Sequence, residues 1–393
     1  MEAKIDRITQ ILSTEIVSEI GLLTGIGGQI LLCSELYTQN KISQEWLQLL
    51  QEALEKKLLK EDFIFTHCSG LAGIGWLYEY LSQRKIIDYD TNSLLEDFDS
   101  YLELSLKNFM QQRNYDFLHG GVGVALYFTK RVTKKKELVE TLIDFVKDLE
   151  KISTKQKNGT IKWLSVLNHD TFQKGYNISL SHGMSSIITL LSKLYKIGGV
   201  DKEKIELLLR DSVQYVLAQE INKDKYGSFF PGYALESTTT ISKSRMGWCY
   251  GDLGIATSLY QAGTAMGEKS WIEKALEVLQ YAALNRRDLE DNSVKDAGLC
   301  HGAAGVGHIF YRMWWNSKLP EFKEAADFWF AETLKMAYHK DGLAGFKTLE
   351  MPDGKPNWMN KYCLLTGIVG IGLALLTYHN KMEPAWDECL LLS

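Results

Sequence analysis

The sequence predicts an all-α protein, an α/α toroid of seven helix-pair repeats, and three observations carry that prediction. A short glycine motif recurs seven times, an almost wholly apolar run at helical spacing follows each copy, and segments with one charged face lie between copies. The copies are Leu-Thr-Gly-Ile-Gly-Gly (23–28), Cys-Ser-Gly-Leu-Ala-Gly (68–73), Leu-His-Gly-Gly-Val-Gly (118–123), Ser-His-Gly-Met-Ser-Ser (181–186), Cys-Tyr-Gly-Asp-Leu-Gly (249–254), Cys-His-Gly-Ala-Ala-Gly (300–305) and Leu-Thr-Gly-Ile-Val-Gly (365–370). Their first glycines stand 45 to 68 residues apart, room for two helices and a connection in each interval.

The apolar runs, such as Ile74, Trp76, Leu77, Tyr80 and Leu81, or Ile187, Ile188, Leu190 and Leu191, suit helices buried on all sides. Amphipathic segments at 43–60, 136–152, 203–219 and 271–287 suit helices laid over them, which gives two concentric layers. The first and last copies share Leu-Leu-Thr-Gly-Ile (22–26 and 364–368), so a closed ring is expected instead of a solenoid with atypical caps. A glycine at each inner helix start costs about 1 kcal/mol of helix propensity. Its recurrence implies converging backbones and a turn that a side chain would obstruct. The polar insertions 153–178, 220–244 and 338–362 read as surface loops near the substrate side, with short hairpins, on one domain spanning 1–393. Trp314-Trp315 and Phe328-Trp329-Phe330 read as outer-layer packing.

Composition narrows the function. The chain of 393 residues is 45% hydrophobic and 24% charged with 5 prolines, which excludes disorder and provides a large core. A net charge of −5 argues against a nucleic-acid binder, whose affinity needs a basic surface. Acidic residues interrupt the apolar positions at the N-terminus, unlike a secretory signal, and the apolar stretch 364–378 is too short to span a bilayer of about 30 Å. A cytoplasmic protein is expected. Six cysteines in such a chain are too few for a disulfide scaffold and would stay reduced there. No Walker or Rossmann string lies in a suitable strand context.

The register of the repeats points to the chemistry. If seven helix starts face one end of a barrel, the residues one and two places before each glycine ring its axis. Cys68, Cys249 and Cys300 stand two before; His119, His182, Tyr250 and His301 stand one before, with Thr24 and Thr366 in the outermost copies. Cys249 and the Cys300-His301 pair come from consecutive repeats, and two thiolates with an imidazole suit a tetrahedral Zn²⁺ that keeps an open, catalytic fourth position. Small buried hydrophobes are the bland alternative for the cysteines. His182 suits general acid or base chemistry, or lines the barrel. Asp116 and Arg245 form a charge pair either at the barrel mouth or on the surface. Cys68, His67 and His119 read as structural or substrate-lining, and Cys33, Cys363 and Cys389 as core or peripheral thiols.

Gly247-Trp-Cys-Tyr-Gly251, Cys300-His-Gly-Ala-Ala-Gly305, Ser181-His-Gly183 and the repeated Gly-x-x-Gly resemble the lanthionine cyclases, the cyclase component of class I lanthipeptide biosynthesis. The resemblance covers essentially the whole chain. It implies a toroid with one zinc held by Cys249, Cys300 and His301, and active-site roles for His182, Asp116, Arg245 and Tyr250. Ser186 departs from the pattern, standing where the second glycine of the fourth copy belongs, and the insertion 153–178 is shorter than the added domain of some members. The implied reaction is Michael-type addition of peptide Cys thiols to dehydroalanine or dehydrobutyrine, forming (methyl)lanthionine rings in a dehydrated precursor peptide. Its implied partners are a dehydratase and an exporter in a biosynthetic complex, with peripheral membrane association through them. The rival readings are a LanC-like enzyme that adds glutathione to dehydrated residues, a zinc-stabilised binding toroid without turnover, and a prenyltransferase subunit, whose zinc ligands include a carboxylate.

Overall fold

The structure is a computed structural model that describes residues 1–59, 64–168 and 171–393. Residue 60 of the segment 43–60, and residues 169 and 170 of the insertion 153–178, lie outside the described residues. In chain order the long helices are α1 (Glu2–Leu12), α2 (Ile26–Thr38), α3 (Gln44–Leu58), α4 (Leu71–Gln83), α5 (Glu96–Gln111), α6 (Gly121–Arg131) and α7 (Val139–Ile152), continuing with α8 (Met184–Leu194), α9 (Lys202–Leu217), α10 (Asp252–Met266), α11 (Lys269–Asn285), α12 (Ala303–Ser317), α13 (Pro320–Lys335) and α14 (Ile368–His379). Each even-numbered helix follows a glycine motif. Their burial agrees with the sequence pattern: every residue from Ile368 to Thr377 of α14 is buried, whereas α3 buries only Leu47, Leu50, Gln51 and Leu54. Burial of one such leucine contributes roughly 1.5–3 kcal/mol.

The chain divides into two compact units, Met1–Thr91 with Ala283–Asp387, and Asn92–Ala282 with Glu388–Ser393. In the first unit α12, α14, α2 and α4 pack as successive neighbours, so the last repeat adjoins the first; α1, α3 and α13 lie against them. In the second unit α6, α8 and α10 are successive neighbours, flanked by α5, α7 and α9.

Outer and inner helices start differently. Ser43 and Asp201 cap α3 and α9 with side-chain oxygens that accept the Trp46 and Lys204 N–H groups, and Pro320 opens α13. Each inner helix instead has a repeat glycine as its N-cap: Gly25, Gly70, Gly120, Gly183, Gly251, Gly302 or Gly367. Six inner helices satisfy their first N–H by bonding to the carbonyl seven residues back, as in Ile26 to Glu19 at 2.7 Å and Leu71 to Ile64 at 2.8 Å. A Cβ on the capping glycine would strike that carbonyl, at 1.9 Å for Gly70 and 2.1 Å for Gly25. The glycines are therefore required by the chain's own preceding loop. Sequence reasoning placed the close approach between converging helices as well as in the turn; at these caps it is the turn that decides.

The same loops are tied to one another through the residues two places before the glycine. In the first unit the Cys300 N–H donates to the Leu365 carbonyl (2.7 Å), Leu365 to Leu23 (3.3 Å) and Leu23 to Cys68 (2.9 Å). In the second unit Ser181 donates to Cys249 (3.4 Å). Within each unit these backbone bonds, which form the belt, set the register of the loops they join, and the residue one place before the glycine is half-buried or exposed in all seven copies.

Two insertions carry the expected hairpins: β1 (Thr154–Lys155) with β2 (Ile161–Lys162) and β3 (Leu164–Asn168) with β4 (Gln173–Tyr176) in one, and β5 (Thr348–Glu350) with β6 (Asn357–Met359) in another. The insertion 220–244 holds no strand among the described residues and is anchored inward: Phe229 and Phe230 are buried and donate their N–H groups to the Asp252 carboxylate at 3.1 and 2.9 Å. One expectation fails. Trp314 and Trp315 close the last turns of the inner helix α12, where Lys318 lies over both rings, because the apolar run of that repeat extends to the helix end. Phe328, Trp329 and Phe330 do lie on the outer helix α13.

Candidate active site

In the second unit three consecutive helix-feeding loops, those before α6, α8 and α10, supply Asp116, His182 and Cys249 with Tyr250. The first loop is shaped by Asn114, whose side-chain oxygen accepts the Asp116 N–H (3.2 Å) and whose amide donates to the His119 carbonyl (3.0 Å). Asp116 then accepts the His119 N–H on one carboxylate oxygen (2.8 Å) and meets His182 Nδ1 with the other (2.7 Å). An ionised carboxylate only accepts, so Nδ1–H donates and Nε2 is left to take or give a proton. Burial alone would lower the His182 pKa and is the largest influence on it. The hydrogen bond and charge of Asp116, followed by the charge of Cys249, outweigh burial and raise it.

The loop before α8 is braced in the same way. Asn177 accepts the Ser179 N–H (2.9 Å), Ser179 accepts the His182 N–H (3.3 Å), and the Ser181 hydroxyl donates to the Cys249 carbonyl (3.2 Å). Buried Trp248 supports Cys249 by donating to the Leu390 carbonyl (2.8 Å) and packing edge-on against Phe117. Gly251, at φ +93°, closes this loop in a conformation that L side chains rarely adopt. Its neighbour Asp252 anchors the segment that carries Tyr233.

Tyr250 lies between His182 and Tyr233, with ring centroids 6.2 and 5.6 Å away. Burial, then the neighbouring Tyr233, raises its phenol pKa, so it stays protonated near neutral pH. His119 is exposed and its ring lies alongside that of His182 at 6.2 Å. Sequence reasoning missed Tyr233. Its one signal was the Phe-Phe-Pro-Gly-Tyr turn in an insertion expected near the substrate side. His67 and Cys68 are buried in the first unit, His67 edge-on to Trp76, as structural roles require. Arg245 is half-buried at the start of the Cys249 loop, and the two Asp116 carboxylate oxygens are engaged by the His119 N–H and by His182 instead of by the expected arginine.

In the first unit Cys300 and His301 occupy the same two places before α12 and are half-exposed. Asp296 fixes their loop, taking the Gly298 N–H (3.0 Å) on one oxygen and the Leu349 N–H of β5 (3.1 Å) on the other.

The family model described as Lanthionine synthetase C-like protein matches residues 16–391. The chain belongs to that family. Nisin biosynthesis protein NisC of Lactococcus lactis subsp. lactis is 24% identical over 335 residues, covering 78% of this chain and 77% of the relative. Glutathione S-transferase LANCL1 of Danio rerio is 25% identical over 259 residues, covering 64% of this chain and 58% of that one. The solved structure of nisin cyclase matches with a TM-score of 0.78 at 20% identity, covering 98% of this chain and 96% of that one. That likeness shows the fold class expected from the sequence, the helical toroid of the lanthionine synthetase C-like family. No helix among the described residues is long and apolar enough to cross a membrane.

Proposed function

We propose that this member of the family is a zinc-dependent lanthionine cyclase acting on a dehydrated precursor peptide, with residues 1–393 as one catalytic domain. The observation that carries the proposal is the 2.7 Å contact between Asp116 and His182, on helix-feeding loops in the same repeat register as those bearing Cys249, Cys300 and His301. A protein that only bound the peptide would have no use for an oriented histidine with a raised pKa.

The donor set fits zinc. Cys249, Cys300 and His301 can each offer one ligand atom to a metal ion, and two thiols with an imidazole leave a fourth position open. Zinc bound there would lower the pKa of a substrate thiol and so favour its thiolate at neutral pH. The chain's own groups handle the rest. His182 Nε2 moves the proton that leaves sulfur and the proton that arrives at the substrate α-carbon as the β-carbon–sulfur bond forms, so the addition is proton-neutral overall. Asp116 holds the imidazole in the required tautomer. Tyr250, kept protonated, donates a hydrogen bond toward developing negative charge on the substrate carbonyl, and Arg245 balances the charge of the site.

We further assign it to the cytoplasm, in a complex with a dehydratase and an exporter that brings it to the membrane. The likeness to LANCL1 motivates a second reading, addition of glutathione to dehydrated residues. The protein incubated with a dehydrated, cysteine-containing peptide is expected to consume peptide thiols without a change in peptide mass, whether or not glutathione is present. Mass gain that requires glutathione, with peptide thiols still open to alkylation, would favour the second reading.

A further inference from the structure

The helix-feeding loops of the first and last repeats carry Thr24 and Thr366 at the place where other repeats carry His182, Tyr250 or His301. Beside these loops the first unit holds a cavity of about 530 Å³ whose lining includes Glu15, Glu19, Thr24, Lys361, Tyr362 and Cys363. That volume lies within the range of small-ligand sites.

Its walls are held by the backbone. Buried Gln29 accepts the Val17 N–H (3.0 Å) and donates to the carbonyls of Leu12 (3.1 Å) and Glu15 (2.5 Å), clamping the segment that displays Glu15. The Glu19 carbonyl receives the first N–H of α2. On the facing wall the carbonyls of Lys361 and Tyr362 accept the Ile368 and Val369 N–H groups at 3.0 and 3.1 Å.

The charge in the cavity is unbalanced. Lys361 is already paired with Glu350 at 2.9 Å, whereas neither Glu15 nor Glu19 takes part in an ion pair among the described residues. Glu15 acts on the cavity interior: after burial itself, its charge is the next cause of the raised Tyr362 pKa. Two exposed, unpaired carboxylates, with Ile16 and Val17 as apolar lining, describe a receptor for a cationic side chain with a methylene stem.

We infer that this cavity binds a lysine- or arginine-bearing stretch of the peptide substrate. The inference rests on the proposed function for the statement that the ligand is the substrate peptide. A peptide held here by its charge would be positioned by a region that takes no part in bond formation.

The test uses the full-length protein and a fluorescent synthetic peptide with two lysines and no dehydrated residue, beside the same peptide with both lysines replaced by glutamine. The lysine peptide is expected to bind more tightly. Glu15→Gln with Glu19→Gln should weaken its binding roughly three- to thirtyfold, while Glu290→Gln with Glu324→Gln, a change of equal charge on exposed surface, should leave it unaltered. The lysine peptide should also slow alkylation of half-buried Cys363, followed residue by residue by mass spectrometry. Equal affinity for the two peptides, equal binding by the Glu15 and Glu19 variant, or unprotected Cys363 would each overturn the assignment. Failure of the cyclase reading is a separate outcome: no ring formation from a dehydrated peptide, with lysine-dependent binding intact.

Discussion

The loop before α8 and the loop before α2 have the same skeleton and different equipment. Each ends in a glycine cap, returns the first helical N–H to a carbonyl seven residues back, and bonds to a neighbouring loop of its own unit through the residue two places before the glycine. At the next place the loop before α8 carries His182, seated on Asp116, whereas the loop before α2 carries Thr24, whose hydroxyl has no partner among the described residues. The repeat thus supplies a rigid, generic mount, and one or two side chains per copy decide whether the mount does chemistry, binding or neither. Changes to the mount and changes to the side chains should have separable effects.

The largest effect is expected from the metal donors. Cys300→Ala should lower zinc content and cyclisation together, since a three-donor site has no spare ligand, while the backbone bond from residue 300 to Leu365 survives and the fold with it. Metal analysis with full occupancy in the variant would refute the assignment of Cys300. Gly70→Ala attacks the mount itself. Its Cβ would lie 1.9 Å from the Ile64 carbonyl oxygen, so a loss of about 1–3 kcal/mol in denaturant unfolding is expected, in a loop that holds no proposed catalytic group. Unchanged stability would mean that the loop yields easily and the glycine is not required there.

A smaller effect concerns the C-terminal end of the first unit, where buried Asp387 meets His308 (2.9 Å) and Arg312 (2.8 Å). Burial, the largest single influence, would raise the Asp387 pKa, but the Arg312 charge and the His308 hydrogen bond hold it down at about 2, from an ordinary 3.8. A carboxylate depressed on folding stabilises the folded state above its unfolded pKa, and that stability is lost as pH falls toward the folded pKa. The stability advantage of the wild type over Asp387→Asn should therefore shrink by about 2 kcal/mol between about pH 5 and pH 2. A constant difference across that window would contradict the assigned shift.

The seven inner helices were legible because an apolar period and a recurring glycine are local signals, and the glycine marks the cap residue itself. The places of His182 and Tyr250 were legible from register alone, since the belt fixes which residue of each loop faces open space. The family resemblance named Asp116 as a site residue, but the sequence reading paired it with Arg245, and its contact with His182 is legible only in the structure. Asn114 and Asn177 could not be read, because an Asx turn that aims a neighbour leaves no pattern distinct from any polar loop. Tyr233 was hidden for a different reason: its position depends on buried Asp252 capturing Phe229 and Phe230, a contact across more than twenty residues. Trp314 and Trp315 were misplaced because bulk and aromaticity do not by themselves say which layer a helix belongs to.

The most direct test of the account is a comparison of wild type and His182→Ala on one dehydrated precursor peptide, with zinc content and alkylatable peptide thiols measured on the same samples. The account predicts equal zinc in both proteins, with thiols consumed by the wild type and left open to alkylation by the variant, ring formation slowed by about 10² to 10⁴. Equal thiol consumption by the two proteins, or loss of zinc from His182→Ala, would contradict it.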